Sequence, residues 1–200
     1  MTAELQFRLP SRGTALAAAV VLVWGLGGCS LLGPKPSTQT PIDDPESVNI
    51  GYVLLYDLVA KQKNTDKLLI IKGVSSEVRA LIEELSNAAG ELNDELERFA
   101  KQDRLIKLDR RVLPLIEALQ RENAQAERGK QFLETSGKEF ERLLLLTQSG
   151  VLTTERHISR VMRDKEPNPE RKAFWKGTVE TFDRLYAKLV KLLEDQYFTK

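Results

Sequence analysis

Cysteine and histidine occur once each in this 200-residue chain, as Cys29 and His157, and aromatic residues make up only 6% of it. A single cysteine closes no disulfide within the chain and supplies too few thiolates for a structural zinc site. The single histidine is as restrictive. Carboxylate-bridged metal centres in helical bundles use two Glu-x-x-His pairs, and the residue three before His157 is Thr154. Neither sign of charge is in excess: 30 Lys and Arg are interleaved with 29 Asp and Glu, so no polybasic block is offered to nucleic acid or anionic lipid. The apolar stretch Thr14 to Trp24 is too short and too rich in alanine to span a bilayer well. No Gly-x-Ser-x-Gly nucleophile elbow occurs. The neighbouring acids Glu83 and Glu84, Glu91 with Asp94 and Glu95, and Glu139 with Glu141 have the spacing of solvated helix faces, not of an acid–base pair.

What is present begins at the N-terminus. Arg8 and Arg12 precede the apolar stretch, and Leu26-Gly27-Gly28-Cys29 follows it. Charge, length, small residues and cysteine together resemble the lipobox signal of bacterial lipoproteins. The resemblance implies that the Cys29 thiol is alkylated with a diacylglycerol, that the chain is cut between Gly28 and Cys29, and that residues 1–28 are removed as a signal peptide. Three acyl chains on one N-terminus exceed the two signals that stable anchoring needs. The membrane is thus the first implied partner. Ser30, standing where an aspartate would retain such a protein at the inner membrane, implies transfer to the outer membrane, facing the periplasm, if the envelope has two membranes. Lipidation uses the only thiol. Beyond residue 28 remain 28 basic and 28 acidic residues, a formal net charge of zero.

Residues 29–46 carry the lipidated cysteine and Pro34, Pro36, Pro41 and Pro45 among Ser, Thr, Gln and Asp, a composition with too little apolar surface to order itself. They read as a tether, its seventeen residues after Cys29 spanning at most roughly 55 to 60 Å. Residues 47–200 then read as helical throughout. Val48, Tyr52, Leu55 and Val59 open an interrupted first helix that resumes at Leu68 to Ile71. Ser75 begins a second, with the stripe Val78, Leu81, Leu85, Ala88, Leu92 and Phe99. A third is expected from Asp109–Pro114 to a stop at Ser149-Gly150, with a seam of Ile116, Leu119, Asn123, Ala126, Lys130, Leu133, Gly137, Phe140, Leu144 and Thr147. Acid-before-base pairs Glu117 with Arg121 and Glu134 with Lys138 support it. A shorter helix is expected from Thr153 to about Lys165. Asn168 caps the last one, Pro169 fills its first position, and Trp175, Val179, Phe182, Tyr186, Leu189 and Leu193 form its stripe.

The expected fold is therefore all-α: an up-down four-helix bundle with an extra short helix, after a signal peptide and flexible tether. The expected function is a membrane-anchored, non-enzymatic binding or scaffold module of the cell envelope, whose partner is another envelope protein, with no cofactor, no metal and no nucleic acid. The alternative is a bundle, ferritin-like in architecture, with an internal ligand or metal site. In that case His157, Glu84, Glu117 and Glu139 are the first ligand candidates, and the small residues Ala124, Ala126, Gly129, Ser136 and Gly137 open a groove towards Trp175 and Phe182. His157 shares a helix face with Thr153, Arg160 and Asp164, so it is expected to be exposed or to pair with Asp164. Leu143 to Leu146 surround a helix turn and require cover on all sides.

Overall fold

The computed structural model describes residues 45–198, so Gly28, Cys29, the signal and most of the tether lie outside the described residues. Among these, every regular element is a helix. Helix α1 spans Pro45–Gln62. A 3-10 turn at Thr65–Lys67 and the single turn α2 (Leu68–Ile71) lead to α3 (Ser76–Gln102). A second 3-10 turn at Arg110–Val112 precedes α4 (Leu115–Glu134), and α5 (Gly137–Lys165) and α6 (Pro169–Tyr197) complete the chain. The expected interruption of the first helix, the connection around Leu105 to Leu108 and the start of the last helix are all present.

Four long helices close into a ring, with α1 against α3, α3 against α6, α6 against α5 and α5 against α1. Polar contacts give their directions. Ser86, early in α3, accepts from the Asp66 amide at 3.1 Å and donates to the Gln62 carbonyl at 3.3 Å, so α3 returns along α1. Arg171, early in α6, meets Asp103 just past α3 at 2.9 Å, while Tyr197 at the end of α6 meets Glu141 at the start of α5. Each helix therefore runs antiparallel to both of its ring neighbours. This arrangement buries the apolar stripe of each helix against two others. Trp175, Tyr52, Phe140 and Phe182 are the largest side chains in the interior. At one end Tyr52 packs edge-on against Trp175, with ring centroids 5.7 Å apart, and Phe174 links Trp175 at 5.3 Å to Phe99 at 5.2 Å.

The third helix departs from expectation. The seam from Ile116 to Thr147 belongs to two helices, because the chain breaks at Thr135-Ser136 and turns at Gly137, whose φ of +56° is a conformation that suits glycine. Glu134 and Lys138 are consequently on different helices, and Glu134 pairs instead with Lys130 at 3.8 Å. The break leaves α5, not α4, as the ring member. Ser149-Gly150 does not stop α5 either. Phe140, Leu144, Leu145, Gln148 and Leu152 keep one buried face continuous across it, and that burial outweighs the roughly 1 kcal/mol by which an interior glycine disfavours a helix. Thr153 and Thr154 hydroxyls donate to the Ser149 and Gly150 carbonyls through the same turn. The expected short helix is thus the second half of α5, and the extra helix is α4, which carries the chain back outside the ring and contributes no buried residue. Of the four consecutive leucines, Leu144 and Leu145 are buried and Leu146 is 43% exposed.

Two local features fix the remaining geometry. Asn168 Oδ1 accepts from the amides of Glu170 at 3.0 Å and Arg171 at 3.1 Å, and Pro169 follows at the first helical position as expected. Gly51 lets α1 approach α5 closely, since a β-carbon there would overlap the Met162 sulfur.

Candidate functional site

Helix α4 separates two surfaces of opposite character. Its outward side carries Ile116, Leu119, Asn123, Ala126, Lys130 and Leu133, all of them exposed, with Ile116 at 77% and Leu133 at 75%. Val112 and Leu115 extend this strip at the preceding turn. The α4 part of the seam expected to enter the core therefore faces away from it, while Phe140 and Leu144, further along the same seam, are buried. The inward side carries Arg121, Ala124, Arg128 and Phe132, which are half-buried against the bundle.

Beneath that side lies a cleft of about 350 Å³ between α1, α4 and α5. Asp57 organises it. Its carboxylate, 2% exposed, lies 3.1 Å from Lys61 Nζ, 2.8 Å from Arg110 Nε and 3.7 Å from Arg121 Nη1. The Arg110 contact is a charge contact whose Nε–H is not aimed at the oxygen. Arg121 also pairs with Glu117 at 2.8 Å, the one expected helix-surface pair on α4 that forms. Arg128 Nε donates to the Ala124 carbonyl at 2.9 Å, and its guanidinium forms no ion pair with a described carboxylate. Leu58, Leu68, Phe132 and Val151 supply apolar walls.

The cleft is backed by a buried polar chain. Gln62 and Gln148 line its floor, and behind them Glu155 is wholly inside the bundle. One end of the Gln62 amide lies 2.8 and 3.0 Å from the two Glu155 oxygens, and its other end lies 3.1 Å from Gln148 Oε1. Burial pushes the Glu155 carboxyl up to about 8, and the bond from Gln62 opposes that rise only in part. A neutral Glu155 donates to the Gln62 oxygen while the Gln62 nitrogen donates to Gln148. An ionised Glu155 needs the Gln62 nitrogen turned towards it, so protonation and amide orientation are coupled.

Carboxylates also latch both ends of α5. Glu166, just past its C-terminus, accepts from the Tyr52 hydroxyl, from Arg171 Nε at 2.9 Å and from the Asn168 amide at 3.0 Å. Glu141, in its first turn, accepts from the Tyr197 hydroxyl and the Ser75 amide. Burial first, and the facing carboxylate second, hold both phenols above the usual tyrosine range. These groups are fully engaged in joining helices.

The residues singled out from sequence do not converge. His157 is exposed and lines an apolar groove with Ile50, Gly51, Leu54 and Val161, while Asp164 bonds Arg163 instead. Glu84 ties α3 to Arg184 and to Lys188 at 2.7 Å on α6, Glu117 serves Arg121, and Glu139 is exposed. Among the described residues no group of three or more His, Cys, Asp or Glu side chains is placed to share a metal ion. Gly129 does line a cavity, but it is the cleft facing α1 and α5, and Trp175 and Phe182 are packed in the core and do not open onto it. Cys29 and Gly28 lie outside the described residues. Sequence reasoning missed Asp57, Glu155 and Glu166. For Glu155 a signal existed, since Gln148, Leu152, Glu155, Ser159 and Met162 share one face at three- and four-residue spacing.

No helix among the described residues is long and apolar enough to cross a membrane. No protein-family model matches the chain, and no curated protein or solved structure is significantly similar to it.

Proposed function

We propose that this chain is a lipid-anchored, non-enzymatic binding module of a bacterial cell envelope, held by acylated Cys29 at the outer membrane and presenting α4 to another envelope protein. The observation that carries the binding role is the outward seam of α4. Leu115, Ile116 and Leu119 open α4 with an apolar stripe at three- and four-residue spacing that exposed Val112 extends from the preceding turn, and nothing in the described bundle covers it. Helix α4 supplies no buried residue to the core, and of its apolar side chains only half-buried Phe132 packs against it. The lipobox-like Leu26-Gly27-Gly28-Cys29, with the short apolar stretch before it, supports the anchor.

Metabolic labelling with palmitate, followed by fractionation of the membranes, tests the anchor. Label is expected on the full chain in the outer-membrane fraction, and Cys29→Ala is expected to leave an unlabelled, uncleaved precursor. Labelling that survives Cys29→Ala refutes the assignment. A photocrosslinking residue placed at Leu119 is expected to give one discrete adduct in cells, and the same residue at exposed Glu180 on α6 none. Adducts of equal yield from both positions, or from neither, contradict the docking role of α4.

A further inference from the structure

We propose that the cleft beneath α4 binds a small amphiphilic anion, a carboxylate carried on a short aliphatic body. The site lies on the opposite side of α4 from the seam, so it stands or falls separately from the partner-docking reading above.

Charge sets the sign of the ligand. Lys61, Arg121 and Arg128 line the cleft with one carboxylate, Asp57. Arg110 also contacts Asp57 and Glu117 pairs with Arg121 from outside it, while Arg128 meets no described carboxylate, so these four cations outnumber the two carboxylates by two. Asp57 is almost wholly withdrawn from water, and Lys61 and Arg121 are drawn in towards it, so this excess sits beside low-dielectric walls where it is weakly screened. Arg128 is the cation with spare capacity. Its Nε is used on the Ala124 carbonyl, which fixes the stem along α4 and leaves the two terminal nitrogens of the fork for a carboxylate.

The remaining lining sets the body of the ligand. Leu58, Leu68, Phe132 and Val151 form an apolar part of the wall, and Gly129 leaves room beside Phe132. At about 350 Å³ the cleft is at the small end of the range for ligand pockets. Gln62 and Gln148, both more than nine-tenths buried, form the floor; the Gln62 amide is held between Glu155 and Gln148, which leaves the Gln148 amide nitrogen to meet a carboxylate oxygen. A purely apolar molecule would leave the cations unserved, and a bare anion would leave the walls wet. An anion-headed aliphatic molecule serves both.

Equilibrium dialysis tests the site on the full-length chain in phosphatidylcholine vesicles, against empty vesicles at the same free concentration of probe. Octanoate is expected to bind in excess over the empty vesicles at about one molecule per chain, with Kd on the order of 1 mM or tighter. Octanol and acetate, which carry only the body or only the head, are expected to show less than one tenth of that excess. Arg128→Gln is expected to weaken octanoate about tenfold, and Arg128→Lys less, because a point charge keeps the attraction and loses the fork. Circular dichroism of each variant verifies that the helices remain. No excess of octanoate, equal retention of octanol, or an Arg128→Gln protein that binds like the parent would each overturn the proposal.

Discussion

Glu155 is a carboxyl group that the bundle encloses without a cation, and its consequence for stability has a definite sign. The folded chain keeps it protonated up to about 8, whereas an unfolded chain releases the proton near the ordinary glutamate value of 4.5. Between those limits the folded state binds more protons than the unfolded state, so this group's contribution to stability falls as pH rises through the window and levels off above it. Glu155→Gln removes the titration and keeps the side chain's shape. The difference in stability between variant and parent, read from urea unfolding, is expected to grow in favour of the variant from pH 5 to pH 8. A difference constant over that range would show that Glu155 ionises in the fold as it does in water. Phe182, 2% exposed between its helix neighbours, is expected to lose about 3 to 5 kcal/mol on change to Ala. A loss under 1 kcal/mol would place the wrong face of α6 in the core. Phe182 was legible because an aromatic at a stripe position has one comfortable destination. Asp57 and Glu166 were not, because a charged residue on a charged helix reads as surface, and their burial depends on Arg110 and Arg171, which lie 53 and five residues away in sequence. Glu155 was signalled only by the face it shares with Gln148, Leu152, Ser159 and Met162.

At the scale of elements, the helices whose ends carry local signals were legible. Asn168-Pro169 and the aromatic stripe after it place α6 correctly, and Ser75 with the stripe from Val78 to Phe99 places α3. Ser75 sits at the N-cap without using its hydroxyl there; its amide instead reaches Glu141. The failure at α4 and α5 has a physical reason. An amphipathic seam shows that one face requires cover, but periodicity is silent on whether the same chain or another molecule provides it. Gly137 was equally ambiguous, since a glycine fits both a close helix contact and a left-handed turn. Both points are measurable. Ile116→Glu is expected to change stability by less than about 0.5 kcal/mol, as surface substitutions do, and a loss above 2 kcal/mol would return the seam to the core. Gly137→Ala is expected to cost about 1 to 2 kcal/mol through its positive φ, although a β-carbon there meets no neighbouring atom. A neutral outcome would mean that the α4–α5 turn is readily rebuilt.

For the molecule as a whole, the all-helical class and the four-helix count followed from pattern and length, and the identity of the fourth helix did not. Which segments close a ring is decided by contacts between helices distant in sequence, such as the latches of Glu166 with Tyr52 and of Glu141 with Tyr197. In the resulting account α1, α3, α5 and α6 form one cooperative body, while α4 is a cover held over a charged cleft by Arg121 and by Lys72, which donates to the carbonyls of Leu133 and Thr135. That division predicts two tiers of stability. Native-state hydrogen exchange followed by mass spectrometry on the full chain measures it directly. Amides of Leu115–Glu134 are expected to exchange through a local opening several kcal/mol below global unfolding, while the buried turns of α5 and α6 exchange only with the whole body. Protection of α4 equal to that of α5 would contradict the account, because α4 would then be part of the core that the other four helices are held to complete alone.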